Sequence, residues 1–419
     1  MDTDVRVSRL QNGLTIVSEP VRDVASVSLG IWVSNGSRYE QQPTNGISHF
    51  IEHMLFKGTA TRTPRQIAEE IECLGGSLNA FTGKEYTCYH ARTLAEHGDI
   101  ALEVLADIFL NSALRDEDME LERDVIVQEI LDVEDTPDDF IYDYYLASYW
   151  LGHPLGWPVT GTVESVGRIT RDDVVRYMAD RYRPDRVIVA ASGRIDHQHL
   201  VDWCRERFGH LRAGFDEPRL DRPDFHPGIY VAERELEQVH LVVGTPGVSM
   251  TDERRELAEV VLSALGGGMS SRLFQTIREE RGKAYSVYAF QSPFHDIGYS
   301  GVYAATSRDS VAEVAELIFD ELRSIARDGL SAAELERTKN QLVGSIPLAL
   351  ESTEARMFRI ARNEIYFGRQ LSVTEVIEDI RAVTNEDVVG LAREIFSFER
   401  AAVAMVGEAD AHSVSVPGA

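Results

Sequence analysis

Asn45-Gly-Ile-Ser-His-Phe-Ile-Glu-His-Met-Leu-Phe-Lys-Gly58 is a helix-length stretch that ends on glycine, a frequent helix stop. At about 100° per residue, Ile47, Phe50, Ile51, Met54 and Leu55 form one apolar stripe. His49, Glu52 and His53 fall together on the opposite face. Imidazoles at i and i+4 can aim ring nitrogens at one point, where zinc would sit about 2.0–2.1 Å from each. Glu52 would then lie beside the open coordination position, placed to take a proton from water. The pentapeptide H-x-x-E-H inverts the better-known H-E-x-x-H. Alone it also describes two surface histidines near a glutamate, so the metal reading needs a third donor.

The search for that donor leads to residues 115–134, a long helical pattern. Glu122 and Glu129 are seven residues apart, about 20° around the helix. Met119, Val125 and Ile126 flank them. Two carboxylates on a largely apolar face need a cation, because burying them unpaired costs several kcal/mol. No lysine or arginine of the helix lies on that face. A metal held by His49 and His53 would supply the charge; an exposed face is the plainer alternative.

Around these two helices the chain alternates strand and helix signals. Val5–Val17 and Ala25–Val33 alternate apolar and polar residues, with Asn12-Gly13 as a hairpin turn. Thr63-Pro64-Arg65-Gln66 starts a helix that stops at Gly75-Gly76. Residues 77–82 and 86–91 read as strands, and 100–112 as a helix. Residues 135–158 read as a loop-and-helix segment, 169–182 as a helix capped by Thr170, and 186–192 as a buried strand.

Further on the chain repeats. Glu120-Leu-Glu-Arg123 recurs as Glu334-Leu-Glu-Arg337, Asp173-Val-Val175 as Asp387-Val-Val389, and Gly193 as Gly407, all at an offset of 214 residues. A single offset implies a duplicated domain. Residues 213–228, rich in Pro and Gly among charges, read as the linker between domains 1–212 and 229–419. The copies differ chemically. Val343 stands where Glu129 would recur, and the second half lacks H-x-x-E-H.

Composition narrows the partners. Lys and Arg total 42 against 69 Asp and Glu, a net charge of −27. Such a chain repels nucleic acid and anionic membranes. No apolar run approaches the length of a membrane span. The three cysteines, Cys73, Cys88 and Cys204, show no C-x-x-C spacing and imply a reducing compartment. The acidic start resembles neither a signal nor a transit peptide, so a cytoplasmic location is expected.

These motifs together resemble the pitrilysin/insulinase superfamily of zinc metallopeptidases, nearest the catalytic subunit of mitochondrial processing peptidase and its bacterial relatives. Between His53 and Glu129 lie 75 residues, the family's ligand spacing. Glu122 stands where the family has a second, bracing glutamate. Gly75-Gly-Ser-Leu-Asn-Ala-Phe-Thr82 is similar to its active-site edge strand, and His153-Pro-Leu-Gly156 with Thr160-Gly161 also matches. Arg278 and Tyr285 match an arginine–tyrosine pair of the non-catalytic half. One departure is the short Leu265-Gly-Gly-Gly-Met-Ser270, where partner subunits of processing peptidases carry a long glycine-rich loop.

The resemblance implies an α+β fold: two homologous domains, each a mostly antiparallel sheet with helices packed on one face. It implies an endopeptidase holding one zinc per chain through His49, His53 and Glu129, with Glu52 as general base and Glu122 orienting the site. Peptide or unfolded polypeptide would add as a strand along Leu78–Thr82, through Asn79 and Ala80, with Phe81 lining a pocket or simply packing in the core. Arg278 and Tyr285 would act across a homodimer, or a heterodimer with an inactive homologue. Arg278 could instead pair within Arg278-Glu-Glu-Arg281. A non-catalytic scaffold or a peptide-binding partner is the alternative, weakened by the complete donor set.

Overall fold

The computed structural model describes residues 4–214 and 220–417. Six strands make the first sheet: β1 (Arg6–Arg9), β2 (Thr15–Pro20), β3 (Ser26–Val33), β4 (Ser77–Thr82), β5 (Thr87–Leu94) and β6 (Val187–Gly193). Their order is β1-β2-β6-β3-β5-β4; only β2 and β6 run parallel. The second sheet contains β7 (Gly228–Ala232), β8 (Val239–Gly247), β9 (Ala284–Pro293), β10 (Gly298–Thr306) and β11 (Ala402–Val406), in the order β7-β11-β8-β10-β9. There β7 and β11 are the parallel pair. Without β1, the two sheets have one topology, as the 214-residue repeat requires.

Smaller signatures repeat as well. Thr170 and Thr384 close capping boxes with Asp173 and Asp387. Gly193 and Gly407 end β6 and follow β11 with φ of 119° and 133°.

Four helices bear on the site: α1 (Ile47–Leu55), α2 (Pro64–Glu72), α3 (Gly98–Asn111) and α4 (Asp116–Asp135). Helix α2 starts with the expected Thr63–Gln66 capping box. On β3, Val27, Leu29, Ile31 and Val33 bury against α1, α3 and α4 in the main core of the first sheet.

The other face of that sheet is covered too. Val17, Trp32, Cys88, Ile188 and Ala190 pack against Met357, Ile360 and Ala361 of the helix Thr353–Phe367. Glu19 of β2, 1% exposed, pairs with Arg359 at 3.0 Å and with Arg356 of that helix. The second sheet receives Pro137–Tyr149 in the same way, with Tyr145 and Tyr149 buried against Val242, Ala402 and Ala404.

Gly30 and Gly244 stand at the repeat offset on β3 and β8. A Cβ on Gly30 would lie 2.8 Å from Trp32 Nε1 and 3.0 Å from Met357 Sδ, and one on Gly244 would overlap the Tyr145 ring. Both sheets therefore use glycine where a helix crosses closely.

The compact units accordingly do not follow a single cut in the sequence. One comprises Met1–Asp132, Trp157–Leu220 and Leu348–Ser372; the other comprises Val133–Gly156, Asp221–Pro347 and Val373–Ala419. Of the expected linker 213–228, residues 215–219, with Pro218, lie outside the described residues, and Gly228 already begins β7. All three cysteines are free. Among the described residues no helix is long and apolar enough to cross a membrane.

Candidate metal centre

Helix α1 begins at Gly46, whose φ of 93° is accessible to glycine at little cost. Its first backbone N–H groups have no local side-chain cap. Glu40 supplies one from outside the helix, accepting from Gly46 N at 2.7 Å, Ser48 N at 2.9 Å and Asn45 Nδ2 at 2.9 Å. A carboxylate there also complements the helix dipole. Burial raises the Glu40 carboxyl, and the bonds it accepts oppose that shift. Glu40 lies beyond the usual capping-box spacing, so nothing local in the sequence marks it.

The stripe Ile47, Phe50, Ile51, Met54 and Leu55 is buried as its periodicity requires. This holds the opposite face, with both histidines, toward α4. Nε2 of His49 lies 3.6 Å from Glu129 Oε2, and Nε2 of His53 lies 3.5 Å from the same oxygen. One donor from each residue falls within 4.8 Å of the others. A tetrahedral ion with ligands at about 2.0–2.1 Å spaces its donors by roughly 3.3 Å, so two nitrogens and one carboxylate oxygen fit zinc with one position open.

The His53 ring is oriented from behind. Its Nδ1 donates to Glu122 Oε2 at 3.0 Å, which leaves Nε2 for the cluster. His49 Nδ1 is buried with no hydrogen-bond partner among the described residues, so packing holds that ring. The two rings meet edge to face, 4.6 Å apart. Burial, then the neighbouring His53, drives His49 down to about 4. Burial also opposes charge on His53, but hydrogen bonds to Glu122 and Glu129 outweigh it and lift that group to about 9.

The two glutamates of α4 part company. Glu122 is 4% exposed, whereas Glu129 is only partly buried and Val125, assigned to the apolar face, is 49% exposed. The cation for Glu122 comes from outside the helix: Lys57 pairs with its Oε1. The sequence reading, which sought basic residues only on α4, missed it. Lys57 lies two residues past the end of α1, so no helical spacing rule pairs it with Glu122. Burial would raise Glu122, but the bonds from His53 and Lys57 hold it below the usual carboxylate range.

Glu52 shares α1 with the histidines. Thr82 Oγ1, at the end of β4, donates to its Oε2 at 2.6 Å. Burial raises Glu52, with Thr82 and His53 acting against the shift. Strand β4 ends its sheet and pairs only with β5 among the described residues, so its outer edge is open to another strand. Asn79 is exposed, and its Oδ1 accepts from Ala80 N at 2.9 Å. Leu78 and Ala80 face the main core, on the side of Thr82 and Glu52. Phe81 turns to the opposite face, with ring centres of Trp32 and Phe358 at 5.8 and 5.7 Å. The structure therefore does not bring Phe81 together with Glu52.

Arg278 and Tyr285 belong to the other unit. Arg278 lies in a π-helical turn, Phe274–Glu279, its guanidinium 4.7 Å above the Phe274 ring and 4.5 Å above that of Tyr285. It makes no ion pair among the described residues. In its neighbouring run it is Arg281 that approaches a carboxylate, Glu313, at 3.5 Å. Tyr285 is 77% exposed.

Known proteins share both the sequence and the fold. A model of the insulinase family, peptidase family M16, matches residues 15–163, and one of the peptidase M16 inactive domain matches residues 168–342. The chain is 41% identical to the uncharacterized zinc protease YmxG of Bacillus subtilis, over 92% of this chain and 94% of that protein. It is 40% identical to an uncharacterized zinc protease of Streptomyces coelicolor, over 96% of this chain and 89% of that one. The crystal structure of a protease from Helicobacter pylori superposes with a TM-score of 0.90 at 20% identity, covering 97% of this chain and all of that one.

Proposed function

Because the chain belongs to the insulinase family of peptidases, family M16, we propose that it is a zinc-dependent endopeptidase acting on peptides or unfolded polypeptide segments. The observation that carries this reading is the approach of His49 Nε2 and His53 Nε2 to one oxygen of Glu129, with Glu52 on the same helix. His49, His53 and Glu129 would hold one zinc ion. When bound, it would acidify a water and polarise the substrate carbonyl.

The remaining work falls to the chain's own residues. Glu52 accepts the proton of the attacking water and returns it to the leaving amine. A carboxyl raised by burial suits both transfers. Thr82 fixes which way that carboxylate points. Substrate adds in extended form to the open edge of β4, where backbone groups of Asn79 and Ala80 hold it. The Ala80 N–H must first release the Asn79 side chain. The complete donor set supports an enzyme over a scaffold.

The active species in this reading is a homodimer closing around the peptide, or a heterodimer with an inactive homologue. Arg278 and Tyr285 of one chain would steady the substrate carbonyl held by a second copy. An arginine with no carboxylate partner among the described residues, lying against an exposed tyrosine, supports that role. The test is metal content and peptide cleavage together. Wild-type protein should hold about one zinc and lose cleavage on chelation, whereas Glu52→Gln should keep zinc and lose several orders of magnitude in turnover. Near-normal cleavage by that variant would exclude Glu52 as the base.

A further inference from the structure

We propose that Lys57 is a positioning residue for the metal site, acting through Glu122 to fix the orientation of His53; this rests on the metal reading above. Three links form a line. Lys57 pairs with Glu122 Oε1. Glu122 Oε2 accepts from His53 Nδ1 at 3.0 Å. His53 Nε2 faces the oxygen of Glu129 at 3.5 Å.

Each link constrains the next. The Glu122 side chain is 5% exposed, so water cannot satisfy both of its oxygens. With Lys57 on one oxygen and His53 on the other, the carboxylate plane has a single setting. That setting keeps the His53 hydrogen on Nδ1 and leaves the Nε2 lone pair free for the ion. Without Lys57, one buried oxygen loses its only ionic partner among the described residues, and the carboxylate gains by turning away toward water. His53 then loses the acceptor that sets its ring.

The Lys57 side chain is 34% exposed, and the ion pair it makes is with Glu122 rather than with a donor of the cluster. Its contribution is therefore indirect. It also adds a positive charge beside the carboxylates of the site.

The experiment is a cycle of variants on the full-length chain: Lys57→Met, Lys57→Arg, Glu122→Gln, and Lys57→Met with Glu122→Gln. Zinc affinity is read by competition with a chromophoric chelator, and kcat and KM are read separately on a peptide. Lys57→Met should weaken zinc about 10- to 100-fold, the usual size for losing such a support. KM for the peptide should stay unchanged, and Lys57→Arg should recover most of the affinity. In the double variant Lys57→Met should add nothing to Glu122→Gln, because the path runs through the carboxylate. Wild-type zinc affinity in Lys57→Met, or losses that add in the double variant, would overturn the proposal. Thermal melting of the metal-free proteins checks folding; should Lys57→Met not fold, Lys57→Gln replaces it in the cycle, and an unrestored loss in Lys57→Arg counts against the proposal. Failure of the wild-type chain to bind zinc would instead overturn the metal reading itself.

Discussion

The Thr82 hydroxyl donates to the Glu52 carboxylate at 2.6 Å, so the last residue of an open edge strand grips the residue assigned as general base. Substrate binding and proton transfer therefore share one hydrogen bond. Thr82→Val should lower kcat about 10- to 150-fold with little change in KM, the scale of one hydrogen bond to a charged group. That bond favours the ionised carboxylate, so its loss raises Glu52 further and moves the acidic limb of the kcat profile to higher pH. An unmoved limb with unchanged kcat would show that Thr82 does not act on the base.

Glu129 supplies the oxygen nearest to both imidazoles. Glu129→Ala should leave the chain folded, since this residue is only partly buried, but strip it of zinc on dialysis. Metal analysis and a melting curve, run on the same sample, separate the two effects. Full zinc occupancy in Glu129→Ala would remove it from the donor set.

The cross-chain role of Arg278 and Tyr285 can be read by complementation. Glu52→Gln and Arg278→Ala chains should each be nearly inactive alone. Mixed and allowed to exchange, they should recover up to about a quarter of wild-type activity, because a mixed dimer can form one intact site. No recovery despite proven exchange would place the arginine in its own chain or outside the reaction.

Glu40 caps α1 with two backbone bonds while buried. Glu40→Ala should cost about 1–3 kcal/mol, from a lost charged cap and unpaired N–H groups. It should also weaken zinc, because His49 lies in the first turn of that helix. Denaturant unfolding and chelator competition measure the two effects. A stability change without a change in metal affinity would mean that α1 keeps its place without the cap.

Glu334, in the repeated Glu334-Leu-Glu-Arg337, is held at about 2, chiefly by the Arg272 guanidinium at 2.7 Å. The folded value lies below that of the unfolded chain, about 4.3. Its stabilisation is therefore complete above that value and lost as pH falls toward 2. Glu334→Gln should destabilise the protein by about 1–2 kcal/mol at pH 7, allowing for partial exposure, and by about half as much at pH 3. An equal difference at both pH values would rule out the ion pair as its source.

Much of this arrangement is written in short stretches of chain. The i, i+4 histidines, the Thr63 and Thr170 capping boxes, the Asn12-Gly13 turn and the alternation of β3 depend on residues within a few positions of one another, so local geometry suffices to read them. The duplication is legible too, because both copies solve one packing problem and keep the same caps and the same glycine under a crossing helix.

Pairings over long separations were not legible in that way. Periodicity puts Glu122 and Glu129 on nearly one face, yet only packing of α4 against α1 buries the first with Lys57 and brings the second to the imidazoles. Residues 135–158 read as loop and helix, and Thr353–Phe367 emerges as a helix only in the structure; no local signal says which sheet each will cover. That follows from where apolar area can be buried against Gly30 and Gly244, a property of surfaces that exist only once both sheets have formed.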